Sequence, residues 1–307
     1  MGVPLNASAF VLLMEKRLSL VEEKVYGELN PMVPILYRVM STQEAWSEFY
    51  SVGDLGDIPE FNGKLSYLSL GPGYLTRIEP KEYAAAVQVQ RKLLDDKQYG
   101  VLDDLAGSLI RSASRTKEKK GVRAFVNAFS SAFDYMTSEE GVSLCSSAHL
   151  NKMGASTSSG FSNAGSSALS PTSLAATRLL MRKFRNDNGE RIAVSDNLAI
   201  ICPDNLADTA QEIVGTQSGL YSAENTKNMA YSRYKVIPYM RLDDYDTNNW
   251  FLVDLDAMKR DLIWIDRIKD EINHDWDFES YLKKVSIYFR IAYGWKNWRW
   301  IYGHSVS

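Results

Sequence analysis

The run GDLGDIPEFNGKLSYLSLGPGYLTRIEP, residues 53–80, is divided by glycine and proline into short pieces. The breaks fall at Gly53, Gly56, Pro59, Gly63, Gly71, Pro72, Gly73 and Pro80. The pieces between them, including Lys64–Leu70 and Tyr74–Ile78, are typical of extended segments. Loops in compact domains have a median length of about 4–6 residues, and much longer ones are generally functional. The run therefore predicts a long projecting loop.

A strand is predicted directly after this loop, at Tyr83–Lys92. Val87 and Val89 alternate there with Gln88 and Gln90, which is the two-residue period of a half-buried strand. Loop and strand together form a hairpin with few apolar residues to bury. Such a hairpin must lie against the rest of the chain or against another copy of it.

The residues before the loop predict an arm. Residues 7–28 form an amphipathic helix whose apolar positions are Phe10, Leu13, Met14, Val21 and Val25. Pro31 and Pro34 then stiffen a connector, and a second short helix is expected at Thr42–Glu48. A helix followed by a proline hinge is more typical of an arm than of a domain core.

The residues after the loop predict a long helix. Apolar residues follow helical spacing at Leu102, Leu105, Ala106, Leu109, Ile110 and Ala113. A charged stretch separates them from a second apolar series at Val122, Phe125, Val126, Phe129 and Phe133. One long helix, or two in series, would satisfy both. A glycine- and serine-rich loop is expected at residues 154–170.

The C-terminal half alternates between helices and strands. Helices are predicted after Ser170-Pro171 and from Asp204 to Gly215. Strands are predicted at Leu198–Cys202, Lys235–Tyr239, Trp250–Asp254, Leu262–Ile265 and Lys284–Ala292. Trp295–Tyr302 is expected to be the hairpin partner of the last of these. Together these elements indicate an α+β protein.

The composition is that of an ordinary globular chain. The 307 residues are 45% hydrophobic and 24% charged, which excludes a disordered, collagen-like or disulfide-rich protein. Lys and Arg number 35 against 38 Asp and Glu, a formal net charge of −3, which disfavours a strongly basic nucleic-acid binder. The length allows about two domains of about 150 residues each.

The cysteines and the N-terminus exclude further classes. Cys145 and Cys202 have no CxxC partner, which fits a reducing compartment or core thiols. No second ligand pair accompanies Cys145 and His149, so neither a metal nor a cofactor is expected. The apolar run Ala9–Met14 is too short for a signal peptide, and no stretch approaches the ~20 apolar residues of a membrane helix. We expect a soluble chain made inside the cell, with no membrane partner.

The sequence contains no recognisable catalytic motif. It has no phosphate-binding loop, dinucleotide fingerprint, nucleophile elbow or zinc-protease motif. His149 lies among Ser143, Ser146 and Ser147, so a Ser/His pair is conceivable, but a turn histidine bonded to the backbone is the simpler interpretation. We expect no catalytic residues and no enzymatic activity.

Three other clusters each have a functional and a structural interpretation. Asp243–Asp246 could bind a divalent cation or be an acidic turn. The basic stretch Arg111–Arg123 could contact phosphate or be a solvated helix face. Trp295, Trp298 and Trp300 could stack on bases or bury alternate aromatics against a neighbour. In each case the structural interpretation is favoured, and the chain has the attributes of a subunit that contacts other subunits.

The order of these elements resembles the major capsid protein of tailed bacteriophages, the Hong Kong ninety-seven fold, and most closely its Mu-like major head subunit group. The arm helix, the long loop and the helix that starts near Tyr99-Gly100 follow the family's order. Matching phrases include Lys92–Asp96, Leu144–His149 with Asn163, Leu198–Pro203, Thr247–Leu252, Val285–Gly294 with Arg290, and Trp298-Arg299. Their order and spacing carry the resemblance over nearly the whole chain.

The resemblance implies a domain organisation. Residues 1–48 would be the N-arm and 49–92 the extended E-loop hairpin. Residues 93–150 and 279–307 would form the P-domain, with its spine helix and strands, and 151–278 the α/β A-domain. It also implies contacts between subunits through Phe10, Leu13, Phe61, Asn62, Gly63, Lys64, Tyr67, Trp298 and Arg299.

The same resemblance implies a function and partners. Hexamers and pentamers of the chain would tile an icosahedral shell, assembled in the host cytoplasm, around double-stranded DNA that is contacted non-specifically. Separate scaffold and portal proteins, and a decoration protein, are further implied partners. Nothing before the arm resembles the family's cleavable scaffolding segment, so we expect either a separate scaffold protein or a mature form of the chain. Some relatives cross-link a loop Lys to a neighbour's Asn; Lys64 and Asn62 lie near the loop tip, but their spacing does not identify that chemistry.

Two alternatives remain at this point. One is a soluble α/β hydrolase that uses His149 and a nearby serine. The other is a different virion component, such as a decoration or tail subunit. If the capsid interpretation holds, deletion of Gly53–Pro80 should leave a folded monomer but abolish shells.

Overall fold

The structure, a computed structural model, describes residues 7–52, 57–65, 67, 71–90, 92, 96, 99–215, 228–277, 279–280 and 282–306. The helices are α1 (Ala7–Glu28), α2 (Val33–Leu36), α3 (Tyr99–Gly121), α4 (Arg123–Val126), α5 (Pro171–Met181), α6 (Ala207–Gly215) and α7 (Leu255–Asp261). The strands are β1 (Arg38–Ser41), β2 (Ser47–Val52), β3 (Pro72–Ile78), β4 (Lys81–Gln90), β5 (Met136–Ser138), β6 (Ala164–Gly165), β7 (Leu198–Cys202), β8 (Tyr234–Pro238), β9 (Trp250–Asp254), β10 (Leu262–Trp276), β11 (Leu282–Trp295) and β12 (Ile301–His304). Most of the predicted phrase Lys92–Asp96 and of the predicted segment Lys64–Leu70 lies outside the described residues.

A four-stranded sheet in the order β1-β10-β11-β4 lies under the long helix α3. Its centre is the antiparallel ladder of β10 and β11, in which Leu262 pairs with Trp295 and Trp276 with Lys283. Alternate residues of β11 are buried, as their two-residue period predicts: Val285, Ile287, Phe289 and Ile291. The apolar stripe of α3 is also buried, at Ala106, Leu109, Ile110 and Ala113.

The first apolar series that follows the loop lies on α3, whereas only Phe125 and Val126 of the second series lie on a helix, the short α4. Helix α3 ends at Gly121 and α4 begins at Arg123. Gly121 allows α2 to approach closely at this break, because a Cβ there would lie 2.6 Å from a side-chain carbon of Val33. The carbonyl of Gly121 also accepts a hydrogen bond of 2.5 Å from the Tyr37 hydroxyl.

A five-stranded sheet in the order β6-β12-β9-β7-β8 forms the second layer of the subunit. Every residue of β7, β9 and β12 is buried, and β7 and the first four residues of β9 are continuous apolar runs rather than alternating ones. Strand β12 lies between β6 and β9, since Gly303 pairs with both Ala164 and Phe251.

A three-stranded sheet, in the order β2-β3-β5, forms the base of the projecting loop. Ile78, the last residue of β3, is fully buried against β11, where Gly294 allows a close approach. The guanidinium of Arg77 lies 4.1 Å from the ring centroid of Trp46. The base of the loop is therefore fixed to the rest of the subunit.

Two predicted elements are wrong. Thr42–Glu48 is not a helix, because Ser47 and Glu48 already pair with β3 as part of β2. Trp295–Tyr302 is not the hairpin partner of β11, because β10 and β4 occupy both edges of that strand. The chain turns after Trp295, and Ile301–His304 joins the other sheet.

The sheets also divide the chain differently from the expected domain boundaries. Residues 262–276 were expected in the A-domain, yet β10 pairs with β11, whose residues were expected in the P-domain. Residues 301–304 were expected in the P-domain, yet β12 pairs with β9. Strand β4, expected in the E-loop, pairs with β11 along its whole length. Long-range pairing decides which sheet a strand joins, and the order of strands in the sequence does not reveal it.

No described helix is long and apolar enough to span a bilayer.

Candidate assembly surfaces

The loop between β2 and β3 exposes a set of large apolar side chains. Those at Ile58, Phe61, Leu65 and Tyr67 are 88%, 70%, 76% and 93% exposed. Gly63 has a φ of +92° and makes the turn between them, a backbone conformation that favours glycine. Exposed apolar patches of this kind on a soluble chain mark contact surfaces. The expected contact residues Asn62 and Lys64 are also exposed here.

The part of the loop that can be removed without damaging the subunit is shorter than Gly53–Pro80. Deleting that whole range would remove β3, which pairs with β2 and β5. It would also remove the fully buried Ile78. These contacts argue against the expectation that this deletion leaves a folded monomer, and residues 57–65 and 67 are exposed throughout.

The arm helix α1 is anchored on α3 of its own chain. Arg17 makes a two-pronged ion pair with Asp103, with a shortest N–O distance of 2.6 Å. Val25 is buried, and the Tyr26 hydroxyl donates to the Asp270 carboxylate at 2.6 Å. Burial, and then the hydrogen bond to Asp270, raise the pKa of Tyr26. The predicted contact residues Phe10 and Leu13 lie on α1, but their side chains are outside the described residues.

Trp298 and Arg299, predicted as contacts between subunits, lie inside this one. Trp298 is 4% exposed, and its ring is parallel to that of His149 with centroids 4.0 Å apart. Arg299 donates to the Arg185 carbonyl at 2.6 Å and pairs with Asp187 at 2.7 Å. These partners are more than a hundred residues away in sequence, so nothing in the sequence indicates that both side chains are engaged inside the subunit.

His149 has no serine partner among the described residues. Its Nε2 lies 3.0 Å from Asn163 Oδ1 and its Nδ1 lies 2.9 Å from Glu140 Oε1. The amide of Asn163 donates to the carbonyls of Leu144 and Ile301, which fixes Oδ1 as an acceptor for His149. Both ring nitrogens are therefore committed to structural bonds that join three segments of the chain. The hydrolase hypothesis has no support from this geometry.

The cysteines and His304 are buried in the core. Burial raises the pKa of Cys145, and burial together with Asp243 and Asp204 raises that of Cys202 to about 12. Both thiols are therefore inert at neutral pH. His304 accepts a hydrogen bond from the Ser167 N–H at its Nδ1, and burial lowers its pKa to about 4.

The two charged clusters are engaged within the chain. Asp243 accepts hydrogen bonds from the backbone N–H groups of Asp204 and Asn205. Asp246 accepts hydrogen bonds from those of Asn248 and Asn249. These are the bonds of an acidic turn, and no group of three metal-binding side chains occurs among the described residues.

In the basic stretch, Lys117 pairs with Asp270 at 2.7 Å and Arg123 pairs with Asp134. The stretch therefore serves in part to fasten α3 to its own subunit. Arg111 and Arg115 remain exposed on the same helix.

Comparison with solved structures identifies the fold. The mature capsid of bacteriophage PhiM1 matches with a TM-score of 0.56 and 8% identity, over 91% of this chain and 88% of that one. The capsid of a native GTA particle matches with a TM-score of 0.54 and 12% identity, over 91% of both chains. The procapsid of bacteriophage JBD30 matches with a TM-score of 0.53 and 12% identity, over 99% of this chain and 76% of that one.

The sequence itself places the chain in a family. No curated protein matches it. The sequence profile described as phage capsid protein matches residues 74–303, which is most of the chain, and the chain belongs to that family. With the fold of tailed-phage capsid subunits, it is a major capsid protein, a structural component of the virion shell. The predicted family and fold class are confirmed.

Proposed function

We propose that copies of this subunit assemble into hexamers and pentamers that tile an icosahedral shell around double-stranded DNA. In this shell the loop of residues 57–67 covers the adjacent copy. The single observation that carries this proposal is the exposure of four large apolar side chains on a loop whose base is rigidly fixed.

The energetic argument rests on what one loop contributes and how often it recurs. Burying an isoleucine, leucine or phenylalanine side chain contributes about 1.5–3 kcal/mol relative to leaving it exposed. Ile58, Phe61 and Leu65 supply three such side chains per copy. In a closed shell every subunit both gives and receives one loop, so contacts of modest strength add up over the whole particle.

The arm supplies a second contact. Because α1 is held to α3 from Arg17 onward, its earlier turns, which carry Phe10 and Leu13, extend beyond this anchor. We assign those two residues to a neighbouring copy, together with Phe61, Asn62, Gly63, Lys64 and Tyr67 of the loop. Trp298 is left out of this set because it is buried inside the subunit, and Arg299 pairs with Asp187 of its own chain.

The remaining partners follow from the proposed shell. A scaffold and a portal protein would act during assembly in the host cytoplasm, and a decoration protein would bind the finished surface. The packaged DNA would be contacted without sequence preference. The formal net charge of −3 supports this, because a strongly cationic subunit would bind the phosphate backbone tightly and hinder packaging and release.

The test replaces residues 57–67 with a glycine–serine segment of equal length. The variant should fold, as judged by circular dichroism, but give no closed particles in negative-stain microscopy and no particle-sized mass in light scattering. The control changes exposed apolar residues outside the loop, Met229→Ser and Tyr231→Ser, and should still form shells. Normal particles from the loop variant would overturn the proposal. Both variants are compared in the presence of the proteins expressed with the native chain, so that a missing scaffold affects them equally.

A further inference from the structure

A polar groove lies beside the base of the projecting loop. It has a volume of about 330 Å³ and is bounded by β2, the C-terminal end of α7 and the turn that follows β11. Tyr50 and Ser51 of β2 form one wall, and Arg260, Asp261, Lys296 and Arg299 form the other. Tyr50 is 57% exposed, so the groove has one open aromatic edge.

The charges of this groove do not balance. Arg299 is neutralised by Asp187 at 2.7 Å. Arg260 pairs with Asp261 at 2.9 Å, and this is the one further carboxylate that lines the groove. Lys296 and the nearby Arg38 add two positive charges, and the described contact of the Lys296 ammonium is the ring of Phe49 at 4.5 Å.

The excess positive charge acts on Lys296 itself. Burial lowers the pKa of Lys296, and repulsion from Arg38 and Arg260 lowers it further, while Asp261 opposes the shift. A cation held near two others in a partly desolvated site is stabilised by any carboxylate that enters. The groove is therefore suited to a segment that presents acidic side chains.

The projecting loop presents such a segment. Asp57 and Glu60 are exposed, and neither makes a hydrogen bond or an ion pair with another described residue. Three residues of extended chain span at most about 10 Å, so both carboxylates can enter one groove. Ile58 and Phe61, which flank them, supply apolar surface for the open edge at Tyr50.

We propose that the acidic segment 57–60 of one copy binds in the basic groove of an adjacent copy, where its two carboxylates face Arg38, Arg260 and Lys296. This inference rests on the proposed function, and it adds the surface that receives the loop. The partner is a second copy of this chain, because the segment and the groove are complementary in charge and both belong to every subunit.

The test is a charge swap between the two surfaces. The loop variant carries Asp57→Lys and Glu60→Lys, and the groove variant carries Arg38→Glu and Arg260→Glu; Lys296 is left in place because it packs on Phe49. Each variant should lower the yield of closed particles at least about tenfold, since each places like charges together. The combination of all four changes should restore the yield to within about threefold of the native chain, since the charges are again opposite.

A matched control reverses two exposed carboxylates elsewhere, Asp208→Lys and Glu212→Lys on α6, and should leave the particle yield unchanged. If a reversed variant fails to fold by circular dichroism, the neutral pair Asp57→Asn and Glu60→Gln replaces it. That pair should lower the yield and remove the salt sensitivity of assembly.

The outcomes separate this inference from the proposed function. If the glycine–serine loop variant forms no shells but the charge-reversed variants assemble normally, the groove is not the receiving surface and the proposed function stands. If both reversed variants fold and fail to assemble, and their combination also fails, the pairing is overturned. If the glycine–serine variant assembles normally, the proposed function itself is wrong.

Discussion

The imidazole of His149 lies flat on the indole of Trp298, with ring centroids 4.0 Å apart and planes 5° from parallel. The stack joins the segment after β5 to the turn between β11 and β12, which connects the two main sheets. Phe184 packs edge-on against the same indole at 5.2 Å. The junction between the sheets is therefore held by aromatic side chains within one subunit.

Trp298→Ala should destabilise the subunit strongly. Removal of a buried tryptophan leaves a cavity and lowers the free energy of unfolding by about 3–5 kcal/mol, measurable by urea unfolding of the unassembled chain. The control is Trp46→Ala, which removes an exposed ring stacked on Arg77 and should cost about 1 kcal/mol or less. If Trp298→Ala left the free energy of unfolding unchanged but abolished assembly, Trp298 would be a contact between copies after all.

Gly294→Ala should strain the attachment of the loop base to the sheet. Its new Cβ would lie 2.6 Å from Ile78 Cδ1, so the free energy of unfolding should fall by about 1–3 kcal/mol. Ile78→Val removes that methyl, and the double variant should be more stable than the sum of the single effects predicts. Gly100→Ala on α3, where nothing lies within 4 Å, is the control and should not destabilise. Strict additivity would show that the two residues do not meet.

Stability should fall on acidification because of His304. Its Nδ1 accepts from the Ser167 N–H and its Nε2 bonds Thr177, so a second proton on the ring has no acceptor. Its folded pKa of about 4 is below the unfolded value of about 6.5. The unfolded chain therefore binds the proton first, and the contribution to stability is present above about pH 6.5 and is lost as the pH falls toward 4.

The measurement is urea unfolding at a series of pH values between these limits. The slope should approach about 1.4 kcal/mol per pH unit for one proton. His304→Gln should flatten the profile, since it removes the titrating group. A slope that persists in this variant would assign the proton to another residue.

Asp270→Ala should release the end of the arm. Its carboxylate accepts a hydrogen bond from the Tyr26 hydroxyl and pairs with Lys117, so its loss removes the contact that holds the C-terminal end of α1 to β10. Limited proteolysis should cut within α1 several-fold faster, as expected for an element that opens locally. Asp196→Ala breaks an exposed pair with Arg182 elsewhere and serves as the control. Equal proteolysis of both variants would show that the arm is held by other contacts.

The elements that the sequence predicts well are those whose burial is local and periodic. Leu198–Cys202 and Trp250–Val253 are apolar at every position, and every residue of the strands they form is buried. β10 was predicted only to Ile265, because Asp266–Trp276 is mostly polar and lacks a buried alternation. Pairing with β11 extends β10 to Trp276, and the residues of β10 alone do not indicate this pairing.

The surface proposed for assembly was predicted only in part, because only the loop has a signal in its own residues. Glycine and proline spacing marked the loop, and Phe61 and Tyr67 are exposed on it as a contact surface requires. The burial of Trp298 inside the subunit and the groove proposed to receive the loop were not predicted, because the residues involved are distant in sequence. The unbalanced charge of Arg38, Arg260 and Lys296 arises from β1, α7 and the turn after β11, which meet only in the folded chain.

Because β12 lies between β6 and β9, the five-stranded sheet can be completed only late in synthesis of the chain. These strands cannot join until residues 301–304 have left the ribosome. About 140 residues separate Ala164 from Gly303, and at about 5–20 residues per second this is a delay of roughly 7–30 s. Until β12 emerges, the facing edge of β6 has no partner strand, and neither has that of β9 once it has been made, although β10 and β11 precede β12 in the chain. A nascent subunit is therefore unable to complete its second sheet, and to present a finished surface to other copies, before nearly all of this sequence has been translated.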